Sequence, residues 1–228
     1  MSNKHTLTQA VFWDYDNTLI ATAEAHWHKH QIVLQRYDIV LEEKHRPLIY
    51  SYNGNQNWEW MNRDYRLEEK VSKENYLYQV DEVFKQTMVD LPFRPGVTEA
   101  IALIKSLGIP QGIVTNARRL SAAPLLEAKR ISSEMVFILY SEDYIGKKPL
   151  PDPYLKGLEI MQAHVNQPIA AMHCLAIEDD PKGVESAKKA GLTTIHRKLK
   201  LEDAPSPFAD HSCFDGGDFL QIIQSFLI

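Results

Sequence analysis

The chain has 228 residues and only two cysteines, Cys174 and Cys213. They stand far apart, so they form neither a disulfide framework nor the paired spacing of a zinc knuckle. Long apolar runs are also missing: no stretch approaches the roughly 18 residues that a membrane-spanning helix needs. The opening MSNKHTLTQ lacks the apolar core of a secretory signal. Positive charge is not in excess. The 25 Lys and Arg stand against 30 Asp and Glu, a formal net charge of -5, so the electrostatic footprint of a nucleic-acid binder is lacking. No internal repeat and no charge block long enough to be a tail are present, and no heptad seam gives a handle on oligomeric state. With 44% hydrophobic and 24% charged residues, the composition excludes disorder and low-complexity tails. The length suits one large domain, or a core with a smaller insertion. The expectation is a soluble, cytoplasmic globular protein with no membrane or nucleic-acid partner.

Short apolar runs punctuate the chain at residues 10–13, 112–114, 135–139 and 174–177, each ending at a polar cluster. Three to five apolar residues without alternation suit strands buried on both faces, as in a parallel sheet. Helical patterns lie between them. Val97, Ile101, Ile104 and Leu107 recur at helical spacing before Gly108, and residues 181–190 end at Gly191 in the same way. Alternating strand and helix signals imply βαβ units and an α/β fold. Residues 21–90 break the alternation: they are rich in helix formers, aromatics and charges, with helices expected over 21–37 and 73–89. They read as a separate helical layer between core segments 1–20 and 91–228. Residues 193–195 read as the last core strand, and 219–227 as a short final helix.

Asp14-Tyr15-Asp16-Asn17-Thr18 directly follows the first apolar run. Ligands of open α/β sheets bind outside the carboxyl ends of the strands, so both carboxylates would lean into that crevice. Two unit charges about 4 Å apart repel by roughly 4 kcal/mol at an effective dielectric near 20, and a cation or a proton has to resolve that conflict. The alternative is a polar turn with Asp14 or Thr18 as a helix cap. Glu178-Asp179-Asp180 ends another run. It could cap the helix that opens at Pro181, or complete an oxygen-ligand set for a hard cation such as Mg²⁺. Thr115-Asn116 could hold phosphate oxygens or cap the helix near Arg118. Lys148, in a proline-stiffened loop, offers a counter-charge for the acids.

In this order the four clusters resemble the motifs of the haloacid dehalogenase superfamily: Asp14-Tyr15-Asp16-Asn17-Thr18, Thr115-Asn116, Lys148-Pro149 and Glu178-Asp179. Pro95-Gly96-Val97, Pro151-Asp152-Pro153 and Ala190-Gly191 agree with it. The resemblance implies a doubly wound, Rossmann-like core with an inserted α-helical cap, as in the phosphoglycolate phosphatase and β-phosphoglucomutase branch. It further implies a phosphatase acting on a small phosphorylated metabolite. Asp14 would form an aspartyl-phosphate, and Asp16 would protonate the leaving alcohol and then activate water. Thr115, Asn116 and Lys148, with Thr18 nearby, would bind the phosphoryl group, whose stabilisation is chiefly electrostatic. Mg²⁺ would be held by Asp14, the main-chain carbonyl of Asp16, and Asp179, with Glu178 as a further or outlying ligand.

Two departures stand out. Ala21 occupies a place where many relatives carry Asp, and Asp180 one where Ser is common; a supporting acid or a helix cap is the expectation for Asp180. The intact Asp14–Asp16 pair argues against a metal-free dehalogenase, and Lys29 and Lys44 lack the context of a Schiff-base lysine. A phosphomutase and a non-catalytic binding protein are the alternatives. Outside the motifs, His26 and His30 could share a helical face toward the crevice. Residues 50–60 read either as a glycine-hinged loop that recognises the leaving group or as the core of the helical layer, and Arg63, Arg66 and Arg94 read as solvated.

Overall fold

The computed structural model describes residues 8–215 and 217–227; most of the opening segment read above for a signal lies outside the described residues. In chain order the elements are β1 (Ala10–Trp13), α1 (Ala23–Gln35), α2 (Arg46–Ser51), α3 (Gly54–Tyr65), α4 (Lys73–Thr87) and α5 (Val97–Ser106). There follow β2 (Gln111–Val114), α6 (Arg119–Ala128), β3 (Phe137–Leu139), α7 (Asp152–His164), β4 (Cys174–Glu178), α8 (Pro181–Lys189), β5 (Thr193–Arg197), β6 (His211–Cys213) and α9 (Gly217–Leu227). The described residues fall into two compact units. One holds those through Ala21 together with those from Pro92 onward, and the other is Thr22–Leu91.

The first unit is an α/β core. Its six strands are ordered β3-β2-β1-β4-β5-β6, with every pairing parallel. Strand order reverses between β1 and β4, and that reversal is where a doubly wound sheet opens a crevice for ligand. Ala10, Val11, Phe12 and Trp13 are all fully buried, which is why β1 reads as an unbroken apolar run. Phe12, Val114, Leu139, Tyr154 and Met161 pack on one face of the sheet with Ala176 and Ala187. The helices end where backbone chemistry ends them. Gly108 and Gly191 take positive φ of 70° and 87° after α5 and α8, a conformation that lacks a Cβ penalty only in glycine.

The core differs from the sequence reading at its edges. β6 follows β5 as a further parallel strand, so residues 193–195 are not the last. His211-Ser212-Cys213 is short, and its first two residues are exposed, so it carries no apolar run to announce it. β3 is shorter than 135–139 because Met135 and Val136 lie outside the ladder.

The second unit is all helical, and buries Trp27, Leu34, Trp58, Trp60, Met61, Leu67, Tyr76 and Val80 together. Residues 50–60 are not a loop: they end α2 and form most of α3. The Asn53 side chain accepts from Gln56 N at 3.0 Å, and the Gln56 side chain accepts from Asn53 N at 3.1 Å. This capping box starts a helix directly at a glycine. His30 does not lie on a free helical surface. It is buried, its Nδ1 lies 2.7 Å from the Tyr76 hydroxyl, and His26 stacks on Phe84. Arg63 and Arg66 are exposed as expected. Arg94, in the core unit, is buried, contrary to the solvated reading.

Candidate active site

The strand register brings the first and fourth motifs side by side. Trp13 pairs with Ile177, and the Asp14 amide donates to the Ile177 carbonyl at 3.0 Å. Asp14 therefore leaves β1 beside Glu178, the last residue of β4. One carboxylate oxygen from each of Asp14, Glu178 and Asp179 lies within 4.8 Å of the others. The Asp16 carboxylate is outside this group of three, and Asp16 is only partly buried.

Lys148 joins the group from the loop before α7. Its Nζ is 2.6 Å from both Asp14 Oδ1 and Glu178 Oε1, and donates to the Val114 carbonyl at 2.8 Å. Burial by itself would depress the proton affinity of this ammonium, but Asp14 and Glu178 outweigh it and hold the pKa well above the ordinary lysine value. The acids move the other way. Burial, and then the charge of Asp14, raise Glu178 well above the usual carboxylate range against the pull of Lys148. Burial also raises Asp14 and Asp179; Asp14 and Asp180 add to the effect at Asp179, while Arg94 and the Thr18 hydroxyl oppose it. Lys148 meets two of the three acids, and the third, Asp179, lies within 4.8 Å of them; acids brought this close are what a hard cation neutralises. The donor set, all carboxylate oxygen, has the chemistry of a hard-cation site rather than of a soft-metal site.

The remaining predicted residues sit around this centre. Thr115 follows β2, is buried, and its hydroxyl accepts from the Ala117 amide at 3.0 Å. It does not cap α6, whose cap position is Arg118. The Asn116 side chain accepts from the Lys148 amide at 3.3 Å and from the Tyr144 hydroxyl at 3.2 Å, which ties the second motif to the third. Neither Asp14 nor Thr18 caps a helix. The Thr18 hydroxyl donates to Asp179 Oδ1 at 3.1 Å, so it orients an acid of the cluster. Asp180 is the cap of α8, accepting from Lys182 N at 2.9 Å.

Several groups at the site escaped the sequence reading. The Tyr154 hydroxyl donates to Glu178 Oε1. His196 Nδ1 accepts from the Ser206 amide, so the proton sits on Nε2, which donates to the Asp179 carbonyl at 2.9 Å. A Cβ on Gly183 would come within 2.1 Å of Glu178 Oε2; α8 approaches the acid so closely only because position 183 has no side chain. Tyr154 stands 24 residues before Glu178 and His196 stands 17 after Asp179, so neither is a neighbour that spacing could flag.

A profile of haloacid dehalogenase-like hydrolases matches residues 11–196. Phosphoglycolate phosphatase of Escherichia coli K12 is 33% identical over 101 residues, covering 44% of this chain; the match spans only 38% of that relative's length. The plasmid-borne CbbY protein of Cupriavidus necator is 26% identical over 229 residues, covering 91% of this chain and 82% of that one. The crystal structure of β-phosphoglucomutase from Clostridium difficile superposes with a TM-score of 0.76 at 19% identity, covering 97% of each chain. No helix among the described residues is long and apolar enough to cross a membrane. The family profile runs from the first motif through the fourth, over most of the chain, and this chain belongs to the haloacid dehalogenase-like hydrolases.

Proposed function

We propose that the protein is a Mg²⁺-dependent phosphatase that hydrolyses a small-molecule phosphomonoester through an aspartyl-phosphate on Asp14, with residues 21–90 acting as its cap. What carries the reading is one arrangement: Asp14, Glu178 and Asp179 converge at the strand reversal, with the Lys148 ammonium 2.6 Å from Asp14.

Lys148 restrains Asp14 through one oxygen and leaves the other to attack phosphorus. The Asp14–phosphorus bond forms as the ester P–O bond breaks, and Asp16 gives its proton to the departing alkoxide. Asp16, now a carboxylate, takes a proton from water. That water attacks phosphorus, breaks the acyl-phosphate P–O bond and frees Asp14 and inorganic phosphate. An Asp with an ordinary pKa of about 4 is ionised at neutral pH, so the site has to favour the proton on Asp16 before the first transfer. Thr115 and Asn116 hold the equatorial oxygens of the transferring group, and the Lys148 ammonium, its three N–H bonds directed at Asp14, Glu178 and the Val114 carbonyl, meets the phosphoryl charge through its field. Asp14, the Asp16 carbonyl and Asp179 would hold Mg²⁺, which when bound neutralises phosphoryl charge. Glu178, engaged by Lys148 and Tyr154, serves chiefly to hold the lysine in place.

The test is release of inorganic phosphate from an aryl phosphate and from a panel of phosphorylated metabolites. Activity should require Mg²⁺, stop with EDTA, and vanish in Asp14→Asn with the circular dichroism spectrum unchanged. Turnover that survives in Asp14→Asn refutes the mechanism. A phosphomutase would instead return the phosphoryl group to the sugar product, and product analysis separates the two.

A further inference from the structure

Two buried guanidinium groups beside the first motif have no part in the steps above. Arg94 lies just past Pro92, where the chain re-enters the core unit. Its Nη1 donates to the Asn17 carbonyl at 2.5 Å, and its Nη2 to the Lys198 carbonyl at 2.8 Å. Arg197, at the end of β5, donates from Nη1 to the Thr18 carbonyl at 3.0 Å and from Nη2 to the Pro95 carbonyl at 2.6 Å. Asp215 joins them: its Oδ1 lies 2.8 Å from Arg94 Nη2 and 2.6 Å from Arg197 Nη2. The side chains of Arg94 and Arg197 are only 5% and 0% exposed, and the Arg197 guanidinium lies 3.9 Å from the centre of the Phe219 ring.

Enclosing two cations with one carboxylate costs desolvation that a pair of apolar side chains would not incur. The structure puts that cost at one place, the turn that follows Asp16. Asn17 holds a positive φ of 53°, uncommon for a residue with a Cβ, and its carbonyl and that of Thr18 are each taken by one guanidinium. The same turn presents the Thr18 hydroxyl to Asp179. Arginine suits the task because its fork donates in several fixed directions at once.

We infer that Arg94 and Arg197, bridged by Asp215, are positioning residues: they clamp the Asn17–Thr18 turn, and so set the place of Asp16 and, through the Thr18 hydroxyl, the aim of Asp179. The inference rests on the reading of the site proposed above, its kinetic part on the phosphatase activity and its cation part on the Mg²⁺ site.

The test uses the full chain with Arg197→Lys, which keeps the charge and loses the fork, and Asp215→Asn, which keeps the shape and loses the bridging charge. Mg²⁺ affinity is measured by titration calorimetry, and kcat and KM with an aryl phosphate. Groups bonded directly to metal ligands are worth about 10- to 100-fold in affinity or activity; Arg197 and Asp215 act one contact further out, through the Thr18 turn, so both variants should bind Mg²⁺ about tenfold more weakly, the low end of that range, with a parallel fall in kcat. KM should hold, because Thr115, Asn116 and Lys148 are outside the clamp. A variant that melts at lower temperature yet keeps wild-type Mg²⁺ affinity and kcat overturns the inference, since a merely structural role would give that result. If Arg197→Lys does not fold, Asp215→Asn decides. If the wild-type protein cleaves no phosphate ester, the functional reading falls, while the calorimetry still decides the clamp. A wild-type chain that binds no Mg²⁺ overturns both.

Discussion

Replacing Lys148 with Met would leave Asp14 and Glu178 facing each other with their shared ammonium gone. Each N–O contact is 2.6 Å, worth roughly 6 kcal/mol at an effective dielectric near 20. Several kcal/mol of desolvation per ion stand against it, and breaking a buried pair by removing one partner costs about 3–5 kcal/mol. That is the loss expected for Lys148→Met in urea unfolding with EDTA. Its sign with pH follows from linkage. Burial already lifts Glu178 and Asp14 above their ordinary values, and without Lys148 they rise further, so the native variant binds more protons than its unfolded chain. Its stability therefore falls as pH rises from 6 to 8. A ligand at about 100 times its dissociation constant stabilises by about 2.7 kcal/mol; in the variant Mg²⁺ would displace those protons and meet no competing ammonium, so at the alkaline end of this range its stabilising increment should exceed that of wild type. Activity should nonetheless drop about 10²–10³-fold, the usual cost of losing a preorganised charge at the reacting group. A variant that loses under about 1 kcal/mol in EDTA, the scale of an exposed pair, refutes the argument that Lys148 neutralises this cluster.

Other perturbations test separate links. Gly183→Ala places a Cβ 2.1 Å from the Glu178 carboxylate; overpacking of this kind costs about 1–3 kcal/mol, and displacing the partner of Lys148 should lower turnover as well, which denaturation and steady-state assays read together. In the helical unit, burial first, and then the charges of Lys29 and His26, push His30 well below its ordinary pKa. The unfolded chain binds that proton near pH 6.5 and the native one does not, so stability is full above that pH and is lost below it. The urea midpoint should fall between pH 7.5 and 5, and His30→Gln should make the fall shallower; an unchanged slope would exclude His30 as its source.

Much of the α/β plan was legible because burial on both faces leaves a mark in the chain. Ala10-Val11-Phe12-Trp13 and Cys174-Leu175-Ala176-Ile177 are apolar without alternation, and the acids directly after them could only sit at the strand ends. Gly108 and Gly191 marked helix ends because positive φ favours glycine. By contrast, α3 was open to two readings: Gly54 among asparagines resembles a hinge, and only the reciprocal Asn53–Gln56 bonds turn it into a helix start. In the edge strand β6 only Cys213 is buried, and one inward residue makes no apolar run.

Local residue order, then, determined which groups stand at the carboxyl ends of β1, β2 and β4, since strand burial and turn chemistry act over a few neighbours. Tertiary structure alone decided that Lys148 reaches across 134 positions to Asp14, that Arg197 crosses 179 to the Thr18 carbonyl, and that Arg94 is enclosed rather than solvated. Such contacts depend on strand order and register, and a charged side chain carries the same letter whether water or a carbonyl oxygen receives it.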